Sequence, residues 1–278
     1  MITPELKEHF EIQGYLNIKG MFSKAEAQTL LEHYMELRMQ GSKPGDFTGV
    51  DVTSKDPLKK FPRMIHMHRW DSTSLDWLLD KRIGAALTGL AGVEAYAVQS
   101  MVYYKPPKAR GQALHQDQFY LRAQPGTCIA AWMALDPCDE ENGCLRVVPG
   151  SQNWPLLCTV KADTSQSFTD VTVLIPEGTP VHSVVMEPGD VLFFSGQVVH
   201  GSGPNRSRNR FRRALIGHYV TGDVQHVAAW FHPALRMDGS VVALGESQGG
   251  GSCGVWVEQD GTAVIELAGV EGLSGRTE

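Results

Sequence analysis

Residues 114–120, L-H-Q-D-Q-F-Y, and residues 198–205, V-V-H-G-S-G-P-N, decide how the rest of this 278-residue chain is read. His115 and Asp117 stand two apart. On an extended strand alternate side chains leave the same face, so the pair can grip one ion from adjacent positions, and a second strand must then bring His200. Two neutral imidazoles and one carboxylate, with about half of the coordination sphere left open, suit non-haem Fe(II) for binding a co-substrate and O₂. H-x-D is common by chance, and a third feature gives it weight. Beyond His200, F-R-R-A-L-I-G-H-Y (211–219) alternates as a strand does, so Arg212, Ala214, Ile216 and His218 share one face. An arginine turned inward is costly without a partner, whereas its fork meets a small carboxylate in a bidentate, charge-assisted pair. The reading is a metal site of His115, Asp117 and His200 with a carboxylate anchor at Arg212.

From Tyr96 onward the chain runs in short alternating stretches broken by Gly, Pro and Asn, the texture of an all-β jelly roll. The first 95 residues read as mainly helical support. Ser23-Lys24-Ala25-Glu26 fits a capping box, and Leu30, Leu31, Tyr34 and Leu37 give the following helix one apolar face. A second helix is expected through L-D-W-L-L-D near residue 78 and A-A-L-T-G-L near residue 88, packed on the outside of one sheet. Residues 221–278 read as a β extension, with Q-D-G at 259–261 as a hairpin turn. No Pro/Gly/Ser linker divides residues 1–220, so 1–278 is taken as one domain with its jelly-roll core at 96–220.

Composition fits an enzyme domain: 42% hydrophobic and 20% charged residues support a sizeable core. No apolar run approaches the roughly eighteen residues of a membrane span. The N-terminus lacks a basic start followed by an apolar stretch. Five cysteines, at 128, 138, 144, 158 and 253, are odd in number and form no C-x-x-C, and read as reduced thiols. A cytoplasmic enzyme is therefore expected. Twenty-five basic against 31 acidic residues, a net charge of −6, leave no broad footprint for nucleic acid despite the arginines at 206, 208, 210, 212 and 213. Arg206, Arg208 and Arg210 read as a solvated loop, the sharper alternative being a pocket rim that attracts an anionic substrate.

Four ordered blocks make the chain resemble a known family, the phytanoyl-CoA dioxygenase-like (PhyH) branch of the Fe(II)/2-oxoglutarate oxygenases. They are H-Q-D at 115–117, N-G-C-L-R-V-V-P-G-S at 142–151, P-G-D-V-L-F-F at 188–194, and H-G-S-G-P-N-R-S from 200 with the following R-R-A-L. The resemblance runs from about residue 8 to about residue 220. It implies an all-β core with flanking helices, a cupin-like double-stranded β-helix, in which His115, Asp117 and His200 hold iron and Arg212 holds the far carboxylate of 2-oxoglutarate. By the same match Ser202, Met101 and Trp132 are further contacts to that co-substrate, and an upstream basic residue, Arg63 or His66, is placed to touch it. Arg212 is preferred to Arg213 on the R-R-A match and on the face it shares with Ala214. The implied reaction consumes O₂ and 2-oxoglutarate, releases succinate and CO₂, and hydroxylates a C–H bond. An aspartate at 117 argues against halogenation, since related halogenases carry a small residue there.

Of the aromatics near the metal motif, Phe119 shares the face of His115 and Asp117, and with Tyr103 it is the candidate for substrate contact. His218 is the one remaining histidine that invites attention. The expected partner is a small-molecule substrate, with a homodimer through the C-terminal extension as a further option. A zinc hydrolase would want a general base beside its water and has no use for Arg212. A jelly-roll metal-binding protein without activity is the non-enzymatic alternative.

Overall fold

The strand Cys128–Ala134, C-I-A-A-W-M-A, is buried at every position, because both faces of its sheet are covered. Ile129, Ala131 and Met133 pack toward the helices, and Ala130, Trp132 and Ala134 pack toward a second sheet. The computed structural model describes residues 2–249 and 252–268. Its main sheet runs Tyr15–Ile18, Val191–Ser195, Cys128–Ala134, Arg212–Thr221, Ala95–Lys105, Ala234–Leu235 and Val241–Val242, with Met64–Ile65 also paired to Ala95–Lys105. The smaller sheet runs Gln112–His115, His200–Ser202, Leu145–Val147 and His182–Val184. All pairings within these two sheets are antiparallel, and the two sheets face each other across an apolar layer that includes Trp132, Leu145, Phe194 and Ile216. This is the jelly roll that the alternation predicts.

The helices cover the outer face of the main sheet. The helix Lys24–Met39 begins with the expected capping box: Ser23 Oγ accepts from the Glu26 N–H, and the Glu26 carboxylate accepts from the Ser23 N–H. Ala27, Leu30 and Tyr34 form its buried face. The single helix expected near residues 78–88 is two, Ser72–Leu78 and Lys81–Ala91. Asp80 divides them because its side chain accepts from the Arg82 N–H and so starts a new helix, a role in which Asp is strongly favoured. Hydrophobic spacing continues across the break, and the cap decides.

The sheet does not respect boundaries at 95 and 220. Tyr15–Ile18 and Met64–Ile65 enter it from the N-terminal part, and Ala234–Leu235 and Val241–Val242 from the C-terminal part. The hairpin Cys253–Gln259/Thr262–Ala268 turns at Asp260 and Gly261, both at positive φ, the I′ geometry that Q-D-G demands. The expectation of five reduced thiols fails at two positions, because Cys158 and Cys253 form a disulfide. Its halves are 95 residues apart, beyond the reach of spacing arguments. A bridge between Leu157 and Gly254 and the packing of Trp154 on Trp256 bring them together. Cys128, Cys138 and Cys144 are free and buried. No helix among the described residues is long and apolar enough to cross a membrane.

Candidate active site

His115 ends one strand of the smaller sheet and His200 begins its neighbour, and the two are direct partners in the register. That pairing fixes the imidazoles side by side, ring centroids 4.2 Å apart. Asp117 joins them by a different route from the one the spacing suggests. The strand stops at His115, Asp117 adopts a helical conformation (φ −62°, ψ −29°), and a single helical turn, Gln118–Leu121, follows. Its Oδ1 lies 3.5 Å from His115 Nε2 and 3.7 Å from His200 Nε2. All three residues are buried, and their donor atoms lie within 4.8 Å of one another.

The tautomers are set by the backbone. His115 Nδ1 is 2.9 Å from the Ala113 carbonyl and His200 Nδ1 is 2.9 Å from the Val198 carbonyl. A carbonyl only accepts, so each Nδ1 carries the proton and each Nε2 turns a lone pair toward Asp117. Gln112 Nε2, 3.1 Å from His115 Nε2, donates to that lone pair. Burial pushes the His200 pKa down to about 4, which keeps the ring neutral. Burial would raise the Asp117 pKa, but the surrounding histidines and the hydrogen bond from His218 outweigh it and hold the carboxyl well below its usual range. The site thus presents two neutral nitrogens and one carboxylate oxygen, the donor set that fits non-haem iron.

His218 engages the other carboxylate oxygen, its Nε2 lying 3.0 Å from Asp117 Oδ2. A carboxylate cannot donate, so His218 does. One oxygen of Asp117 is thereby occupied and the other is left for a metal. This is the outer partner that metal-binding carboxylates commonly have.

Arg212, the expected anchor, lies across the cavity on the main sheet. Arg212 and Lys105 are register partners on neighbouring strands, both buried, and among the described residues neither pairs with a carboxylate. Burial lowers the pKa of both, and in Lys105 the charge of Arg212 adds to the effect. Arg212 Nε donates to the Gly143 carbonyl at 3.2 Å, and its guanidinium carbon lies 5.3 Å from the centroid of the Trp132 ring. Gly143 must be glycine, since φ is +77° and a Cβ would lie 2.4 Å from the Gly203 carbonyl oxygen. Lys105 Nζ meets three oxygens, Ser202 Oγ at 2.7 Å, Gly203 O at 2.7 Å and Gly143 O at 3.2 Å, one for each proton of an ammonium. Ser202 Oγ also accepts from the Gln112 N–H at 3.3 Å. Both of its lone pairs are then in use, so its own proton can only be donated, and Ser202 lines the cavity. Arg212 and the donating Ser202 hydroxyl thus stand together at one end of the cavity, with Lys105 bonded to Ser202.

Met101 and Trp132 flank Ile216 on the adjacent strands, all three lining the same wall. Arg213 points away, held by Asp136 at 2.7 Å. The cavity measures about 600 Å³, within the range of small-molecule sites. Tyr103 lines it, but Phe119 does not, because the strand that would have aimed it inward has ended; Tyr120 and Leu121 come round instead. His66 stands behind the wall, against Trp230 and Phe231, with both ring nitrogens buried and unpartnered. The arginine loop does not line the cavity either: Arg210 is tied to Asp139 and Glu141. Lys105 went unremarked in the sequence, although alternation through Met101 and Tyr103 puts it on the cavity face.

The family model described as "Phytanoyl-CoA dioxygenase (PhyH)" matches residues 10–214. The peroxisomal phytanoyl-CoA dioxygenase of Rattus norvegicus is 26% identical over 242 residues, covering 82% of this chain and 71% of that protein. Among solved structures, the epimerase SnoN in complex with Fe3+, alpha ketoglutarate and nogalamycin RO superposes with a TM-score of 0.64 at 21% identity, over 80% of this chain and 84% of that one. EctD from S. alaskensis with 2-oxoglutarate and 5-hydroxyectoine gives a TM-score of 0.61 at 21% identity, over 79% and 76%.

Proposed function

This chain belongs to the phytanoyl-CoA dioxygenase family, and on that premise we propose that it is an Fe(II)- and 2-oxoglutarate-dependent dioxygenase that hydroxylates an unactivated C–H bond of a small organic molecule. The observation that carries the reading is the pairing, in one cavity, of the His115–Asp117–His200 donor set with an anion receptor built from Arg212 and Ser202, the Ser202 hydroxyl being oriented by Lys105. A hydrolase has no use for the second half of that pair. Bound iron and 2-oxoglutarate supply the activation of O₂ and the oxidising power for the C–H bond, with succinate and CO₂ released.

The chain's own part is orientation and shielding. His115 and His200 offer Nε2 because backbone carbonyls hold the opposite nitrogen protonated. His218 keeps Asp117 to one free oxygen, so that this oxygen and the two Nε2 atoms would hold iron as a three-donor set. Arg212 takes the far carboxylate of 2-oxoglutarate with its fork, and Ser202 donates to the same group, its proton directed there by Lys105 and the Gln112 N–H. A carboxylate on Arg212 also offsets the charge repulsion between Arg212 and the neighbouring Lys105, whose own protons stay donated to Ser202, Gly143 and Gly203. Met101, Trp132 and Ile216 close the wall against water.

The test is an anaerobic titration of apoprotein with Fe(II) and then 2-oxoglutarate, read by the visible metal-to-ligand charge-transfer band, followed by succinate release in air. A band that is lost in Asp117→Ala and Arg212→Met supports the reading. No band in the parent protein, with tight Zn(II) binding instead, overturns it.

A further inference from the structure

The cavity holds a second arginine that the co-substrate does not need. Arg63 precedes the edge strand Met64–Ile65, which pairs with Ala95–Lys105 on the side opposite Arg212–Thr221. It is therefore two strand spacings from the strand of Arg212, roughly 10 Å. Its setting is also different. The guanidinium carbon lies 3.9 Å from the ring centroid of Phe47, 5.4 Å from that of Phe168 and 5.6 Å from that of Tyr103. One terminal nitrogen donates to Tyr103 Oη at 3.0 Å, while Nε is buried without a partner. Among the described residues no carboxylate pairs with it, although Asp170 lines the same cavity. A guanidinium packed against aromatic rings is fixed in direction, and its open edge has the geometry of a carboxylate receptor.

The surroundings describe the rest of the ligand. Phe47 and Trp230 line this cavity while 61% and 60% exposed, and an aromatic surface left open at a cavity mouth marks a site for an apolar body. Asp170 on the same lining disfavours a second negative charge.

Resting on the proposed oxygenase reading, we infer that the primary substrate is a monoanionic carboxylic acid with an aromatic or alicyclic body, its carboxylate held by Arg63 and its body against Phe47, Phe168 and Trp230. Arg63 is thus a substrate-specificity residue and not a contact to 2-oxoglutarate.

The experiment uses the full chain loaded with Mn(II) in place of iron, so that no turnover intervenes. Binding of 2-oxoglutarate is measured first by calorimetry. 1-Naphthaleneacetate, cyclohexaneacetate, their neutral amides and 1-naphthyl phosphate are then titrated in turn. The acids are expected to bind at least about tenfold more tightly than their amides, as a charge-assisted pair requires, and more tightly than the phosphate. Arg63→Gln should erase the preference for acid over amide, Arg63→Lys should keep part of it, and neither should alter 2-oxoglutarate affinity by more than about twofold. Equal binding of acids and amides by the parent protein overturns the inference, and so does a tenfold loss of 2-oxoglutarate affinity in Arg63→Gln. A parent protein that prefers the acids but takes up no 2-oxoglutarate leaves the mouth as inferred and removes the oxygenase reading.

Discussion

The two ends of the cavity treat an arginine in opposite ways. At the closed end Arg212 is buried beside a second cation, Lys105, and every neighbouring oxygen is a backbone carbonyl or the Ser202 hydroxyl. At the mouth Arg63 lies among aromatic rings, two of the mouth's aromatic side chains being more than half exposed. The closed end is over-determined: strands fix its backbone, and a misplaced charge there has no water to solvate it. The mouth is built from side chains with solvent at their backs, so its contacts can change without unfolding the sheets. A fixed co-substrate suits the first and a variable substrate the second.

Substitutions can break this contrast, and the largest effect should come from the metal position that both ends share. Asp117→Ala should abolish Fe(II) uptake in the anaerobic titration and silence both ends, a loss beyond the roughly 10–100-fold typical of removing an outer partner. Arg212→Met should weaken 2-oxoglutarate by about 10²- to 10³-fold by calorimetry, the consequence of truncating one half of a buried charge pair, and leave 1-naphthaleneacetate binding unchanged. If both ligands weaken together, the two ends are one site and the contrast fails. His218→Phe should lower Fe(II) affinity about 10- to 100-fold by freeing Asp117 Oδ2, measured by competition with a chelator. Lys105→Met should cost about tenfold in 2-oxoglutarate affinity with Fe(II) affinity intact, because Ser202 loses the donor that turns its proton toward the carboxylate.

The smallest effect concerns the floor beneath the mouth. Burial pushes His66 down to about 3 and His68 down to about 4, from an ordinary value of 6.5, and the nearby charge of Arg69 adds to both. In both, the unfolded chain binds the extra proton between the two values, so their contribution is complete above pH 6.5 and is lost as the pH falls toward 4. Each adds up to about 1.4 kcal/mol of stability per pH unit across that window. A melting-temperature series from pH 7 to pH 5 should show a shallower decline in His66→Asn, a residue that tolerates the positive φ of 58° at this position. An unchanged slope would mean that His66 is solvated.

The clustering of His115, Asp117 and His200, the inward turn of Arg212 and the capping box were all legible, because each depends on residue type and short spacing. His115 and Asp117 converge as expected, yet by a strand that ends and a helical turn that begins, and the same change of backbone removed Phe119 from the cavity and brought in Tyr120. Periodicity reports the face of an element only as far as the element runs. Asp80 taught the same lesson in the helices, where one apolar rhythm crosses two elements.

What the sequence alone determined was the chemistry on offer: two imidazoles, one carboxylate, one inward arginine, and a β-rich frame to carry them. Pairing across long separations was left to the tertiary structure. The register that sets His115 against His200 and Lys105 against Arg212, the reach of His218 to Asp117 and the Cys158–Cys253 bond all join residues far apart in the chain. Local pattern cannot specify which strands become neighbours, because that choice follows from burying both faces of the main sheet at once. Arg63 shows the consequence most plainly. The sequence marked it only as one of two basic candidates, with His66, for a 2-oxoglutarate contact, and it was the folded sheet that placed it at the mouth, with aromatic rings around it and, among the described residues, no carboxylate paired with it.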